Sequence, residues 1–188
     1  MREEMLLRPG SIVEIVGGLS SGRTSLLTTC IRDLTRAGAV AALVDVDHTF
    51  DPASAERAGV DLRRLLWVRC EGRRDAALSA VDALVRCPGF ALVALDVGES
   101  PPRLPMAAAF RLRLATRRAG VTLLLVGRWR MAGSAAALSV ATSCEALAWT
   151  GPGRRPTRLA GMRTAVQVIR EQQAASTTDG AWRAWWTA

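Results

Sequence analysis

The chain has 188 residues, 49% of them apolar, and a formal charge of +8, enough length to bury a core without disulfides or metal. No apolar run reaches the ~18 residues of a membrane span and no stretch reads as a secretion signal, so a globular, cytoplasmic protein is expected. Cys30, Cys70, Cys87 and Cys144 form no CxxC pair and His48 is the single histidine. Buried reduced thiols and no resident metal are expected.

All 25 basic residues are arginine, a skew of the kind that GC-rich coding produces. They are unevenly placed. Residues Met1 to Ser100 carry 12 arginines against 14 carboxylates; Pro101 to Ala188 carry 13 against three. A basic second half points to an anionic partner.

The pattern along the chain alternates strand-like and helix-like runs, which predicts a mostly parallel sheet flanked by helices. Ser11 to Val16 reads as a strand that enters a glycine-rich turn, Thr24 to Ala37 as a helix, and Ala41 to Val46 as a second strand. Pro52 to Ala58 is a short helix with proline in its first turn. Leu65 to Arg69 is a third strand and Arg73 to Arg86 a helix with Ala76, Leu78, Val81, Leu84 and Val85 near one face. Phe90 to Val97 is a continuous apolar run, as at the centre of a parallel sheet.

After a proline-containing break at Gly98 to Leu104, Met106 to Arg118 reads as a helix. Phe110 and Leu114 are expected inward, with Arg111, Arg113, Arg117 and Arg118 in solvent. Val121 to Val126 is a fifth strand; Glu145 to Trp149 and Thr164 to Ile169 read as a C-terminal antiparallel extension. The terminal AWRAWW is a last strand or a helix tip. Its tryptophans, Trp182, Trp185 and Trp186, suit either packing on the sheet or anchoring a partner.

Gly17-Gly18-Leu19-Ser20-Ser21-Gly22-Arg23-Thr24 matches the phosphate-binding G-x-x-x-x-G-K-[ST] pattern except at the lysine. Glycines let backbone N–H groups curl around phosphate, and the following helix N-terminus adds a favourable dipole. Strand, loop and helix follow in the required order.

With GSIVEIVGGLSSGRTSL, the stretch Asp45 to Asp61, FALVALD ending at Asp96, and LLLVGRWRM at Leu123 to Met131, the chain resembles the RecA family. The resemblance implies a RecA-type P-loop core over residues 1–188, in which Thr24 and Asp96 would hold Mg²⁺ with a nucleotide. It also marks departures. Arg23 stands at the lysine position, Asp47 at the catalytic glutamate, Ser54 at the adenine-stacking tyrosine and Arg128 at the γ-phosphate-sensing glutamine. A planar guanidinium needs more room than an ammonium, and a carboxylate shortened by a methylene positions water poorly. No residue is therefore assigned a catalytic role, and a degenerate site of Gly17, Gly22, Arg23, Thr24, Asp96 and Arg128 is expected to bind ATP or ADP weakly, if at all. His48 reads as a structural neighbour of that site.

Ten residues precede the first strand, so the N-terminal oligomerisation element of RecA is expected to be missing, and both DNA-binding loops are expected to be short. In these respects the chain looks most like the ImuA family. That resemblance implies an accessory of SOS mutagenesis and translesion synthesis whose partners are RecA, ImuB and an error-prone polymerase. An active DNA-stimulated ATPase and a cell-division inhibitor of the SulA type are the alternatives. Weak, sequence-independent DNA binding is expected through Arg111, Arg113, Arg117, Arg118, Arg128, Arg130, Arg154, Arg155 and Arg158. Trp129, between two of these arginines, is expected in the core.

Overall fold

The computed structural model describes residues 3–99, 104–152, 156–172 and 181–187. Among these residues eight strands form one sheet: β1 (Ile12–Val16), β2 (Val40–Asp45), β3 (Leu65–Arg69), β4 (Phe90–Asp96), β5 (Thr122–Gly127), β6 (Leu138–Thr150), β7 (Arg158–Glu171) and β8 (Ala181–Thr187). Their order is β3-β2-β4-β5-β1-β6-β7-β8. The first six positions pair in parallel, while β7 and β8 add as an antiparallel extension. The helices are α1 (Arg23–Arg36), α2 (Pro52–Arg57), α3 (Arg74–Arg86) and α4 (Met106–Ala119). The predicted class, a mostly parallel sheet flanked by helices with antiparallel C-terminal strands, is the class observed.

Two apolar layers hold the sheet. On one face Leu26, Leu27, Cys30 and Ile31 of α1 pack on Val13, Ile15, Leu43, Leu92, Leu124 and Val126. On the other, Val81 and Val85 of α3 and Leu112 of α4 pack on Val44, Val93, Leu123 and Leu125. Strands buried on both faces have little use for polar alternation, which explains the continuous apolar runs at β4 and β5.

Several expectations are corrected. Phe110 and Leu114 of α4 point outward, 43% and 51% exposed, and the buried stripe is Ala109, Leu112, Ala115 and Thr116. Both stripes have helical spacing, and the small side chains let α4 approach the sheet more closely than Phe110 would. Of the cysteines only Cys30 and Cys70 are buried; Cys87 and Cys144 are exposed. The C-terminal strands β6 and β7 are far longer than Glu145 to Trp149 and Thr164 to Ile169; of the two forms open for the terminal AWRAWW, the strand is the one observed. The long pairing of β6 with β7 absorbs polar residues because only part of it lies over the core. Among the described residues no helix is long and apolar enough to cross a membrane.

Candidate phosphate-loop site

Parallel strands deliver their carboxyl ends to one edge of the sheet, where ligands of open α/β folds bind. Here that edge gathers the loop after β1, the Asp45 and Asp96 ends of β2 and β4, and the loop after β5. The glycine loop is held at several points. Gly17 N–H donates to the Gly127 carbonyl at 3.1 Å and Ser21 N–H to Gly18 at 3.3 Å. Gly22 caps α1 at φ 90°, in the left-handed region that glycine tolerates. Its missing side chain is also needed for space, since a Cβ there would run into Thr164. Thr142 of β6 bonds the Ser21 hydroxyl at 2.8 Å and the Val16 carbonyl at 3.2 Å. Trp186 of β8 donates from Nε1 to Thr164 at 2.9 Å. The antiparallel extension therefore buttresses the loop from behind.

Arg23 turns inward. Its side chain is 8% exposed, its Nη1 donates to the Gly17 carbonyl at 2.5 Å, and its Nη2 pairs with Glu99 Oε1 at 2.6 Å. The other Glu99 oxygen accepts from Arg128 at 3.3 Å, and Arg128 stacks over the Trp129 ring at 5.1 Å. Trp129 is thus exposed rather than in the core, although Met131 and Ala132 just after it pack against the core. Thr24 is exposed at the start of α1.

Asp96 is buried. Its Oδ1 accepts from Gly98 N–H at 2.9 Å and its Oδ2 faces the Thr49 hydroxyl at 3.4 Å. Burial pushes its pKa above the ordinary carboxylate value, partly opposed by the Gly98 N–H and the charge of Arg23. Asp47 and His48 are exposed on the adjoining loop, with His48 at φ 57°. Gly98, lacking a side chain, leaves room for the Asp47 carboxylate. Ser54 is committed locally, donating to the Asp51 side chain that caps α2 and accepting from Arg57 at 2.7 Å.

Two fully buried carboxylates organise this edge without having been singled out in the sequence. Asp45 accepts from Thr49 N–H, Phe50 N–H and Trp67 Nε1 at 3.1 to 3.3 Å, pinning the loop that carries Asp47. Phe50 meets the Trp67 ring edge-on at 5.3 Å. Glu14 of β1 accepts from Met131 and Ala132 N–H and the Ser139 hydroxyl, each at 2.7 Å. It thereby fixes the loop after β5. A lone acid inside the apolar run IVEIV was the available signal for Glu14; Glu99 carried none.

The arginines proposed for DNA differ in their surroundings. Arg117, Arg118 and Arg158 are exposed and Arg113 is half-buried. Arg111 pairs with Asp82 at 3.4 Å. Arg130 is drawn to Glu14 at 3.4 Å and to the Gly133 carbonyl at 3.2 Å, so it is a tether of the loop before it is a phosphate contact. Arg154 and Arg155 lie outside the described residues.

A strand, a glycine loop and a helix N-terminus at the carboxyl edge of a parallel sheet, with an acid ending a neighbouring strand, define a P-loop α/β protein. The RecA N-terminal domain family matches residues 7–104, more than half of the sequence, and the chain belongs to that family. It is 41% identical over 87 residues to the protein RecA of Chlorobaculum parvum, covering 46% of this chain and 25% of that protein. For the protein RecA of Gloeothece citriformis the figures are 41% over 90 residues, 48% and 25%. For that of Clavibacter michiganensis they are 42% over 87 residues, 46% and 24%. The matched stretch thus spans about a quarter of the length of these relatives.

Proposed function

We propose that this chain is an accessory to RecA, restraining RecA assembly during SOS mutagenesis, rather than a recombinase in its own right. The observation that carries the reading is Arg23. The cation that follows the glycines of the phosphate loop is spent on the Gly17 carbonyl and on Glu99. With Asp47 in place of a longer acid and Ser54 bound to its own helix cap, the site favours weak ATP or ADP binding with little hydrolysis. Any Mg²⁺ would be held with the nucleotide through Thr24 and Asp96.

Two further features support the reading. Among the described residues the outer edge of β3 has no strand beside it in the sheet, and Leu66 on that strand is exposed. Such an edge suits an added strand from a neighbouring subunit. The residues leading into β1 are used internally, with Leu6 buried against the α1 layer and Arg8 bonded to Glu171 of β7. A core that accepts a RecA subunit without passing growth onward would cap a filament end. By the resemblance to the ImuA proteins, ImuB and an error-prone polymerase are the further partners, and weak sequence-independent DNA contact comes from the basic half.

The test is RecA assembly on single-stranded DNA. Inhibition is expected at amounts far below those that coat the DNA, with negligible ATP turnover by this chain alone. Inhibition only at DNA-saturating amounts would show simple competition for DNA. Robust DNA-stimulated turnover abolished by Asp96→Ala would establish an ATPase instead, the reading favoured by the retained Thr24 and Asp96.

A further inference from the structure

Glu99 holds the one arginine of the phosphate loop. Its carboxylate meets Arg23 Nη2 at 2.6 Å while the same guanidinium donates to Gly17, and both contacts hold Arg23 back against its own loop. We infer that Glu99 is an internal substitute for phosphate: its carboxylate occupies the cation that a nucleotide's phosphates would need, and so sets the affinity of the loop for polyphosphate.

The chemistry supports displacement rather than coexistence. A guanidinium binds carboxylate and phosphate through the same planar donors, so the two anions compete for one face. Glu99 is a third exposed, and its Oε1 lies close to Arg23 but accepts no well-directed hydrogen bond among the described residues. Among the described residues its second oxygen is held by Arg128 at 3.3 Å. A carboxylate held at this strength lowers phosphate affinity without sealing the loop. The backbone cradle of Gly17 to Gly22 is built independently of it, through Gly127, Thr142 and Thr164.

This deepens the reading of a weakened nucleotide site and is separable from the action on RecA. Pyrophosphate and ADP, each with Mg²⁺, are titrated calorimetrically into the full chain and into the E99Q and E99A variants. Glu99 lies on a partly exposed loop, so both variants are expected to fold, checked by thermal melting. Tighter binding by at least about tenfold in both variants is expected, the scale of one charge-assisted contact. Adding Arg23→Ala to either should abolish the gain, which ties it to the guanidinium. Folded E99Q and E99A that bind both probes no better than the unaltered chain overturn the inference, as does a gain that survives Arg23→Ala. Tight ADP binding by the unaltered chain instead overturns the weakened-site reading itself.

Discussion

Asp96 ends β4 with its carboxyl removed from solvent, and burial raises its pKa above the ordinary value of 3.8. A raised folded-state pKa means that this group favours folding fully only below its unfolded value, and that the contribution is lost as pH rises through the folded value. Asp96→Asn keeps an acceptor for Gly98 N–H and removes the buried charge. At pH 7 it is expected to stabilise the fold by about 1 kcal/mol, or roughly 2–4 °C in Tm, and the advantage should fade below pH 4. Thermal melts of both proteins across that range check it; an Asn variant less stable at pH 7 contradicts the assignment. Glu14 of β1 serves instead as a buried acceptor. Glu14→Ala strands the N–H groups of Met131 and Ala132 and the Ser139 hydroxyl. A loss of about 3 kcal/mol is expected in denaturant unfolding, with faster proteolysis around Trp129.

At the scale of elements, α4 shows how periodicity misleads. Phe110 and Leu114 recur four residues apart, the spacing of a buried face, yet Ala109, Leu112 and Ala115 satisfy the same period with smaller side chains. Distance between helix and sheet decides between the stripes, and the helix approaches over its alanines. Leu112→Ala is therefore expected to cost about 2–3 kcal/mol. Phe110→Ser should change stability by no more than about 0.5 kcal/mol, measured by chemical denaturation. The start of α1 obeys a different constraint. Gly22 combines a positive φ with the close approach of Thr164, so Gly22→Ala should lower stability by about 2 kcal/mol or more and loosen the phosphate loop. The partner it would meet comes from β7, more than a hundred positions away, and local pattern cannot report it.

Across the whole molecule, charge is divided more finely than the composition implied. The basic half is real in the sequence, but Arg111, Arg128 and Arg130 each face a carboxylate, from Asp82, Glu99 and Glu14. Arg117, Arg118 and Arg158 remain as exposed positive groups. Binding to single-stranded DNA should therefore be weak and fall steeply with salt. Fluorescence anisotropy across a salt series should show the slope reduced by about one for each of Arg117 and Arg118 replaced by Ala, and little changed by replacing Arg130. An unchanged slope on losing both exposed arginines would mean that DNA runs elsewhere.

The alternation of apolar strands and amphipathic helices, and the glycine loop between the first of each, were sufficient by themselves to determine the fold class and to locate the phosphate loop. These features are local: a period, a turn residue or a cap acts over a few neighbouring positions. The places of Thr24 at the start of α1 and Asp96 at the end of β4 were legible for the same reason, each standing at a fixed point in a short run. Tertiary structure alone decided that Arg23 is neutralised by Glu99, that Glu14 and Asp45 are buried anchors, and that Thr142, Thr164 and Trp186 brace the loop. It also separated the terminal tryptophans, burying Trp182, bonding Trp186 to Thr164 and leaving Trp185 about half exposed. Each of these outcomes depends on residues far apart in sequence meeting at a distance of a few ångströms, where the sign and geometry of the partner set what a side chain does.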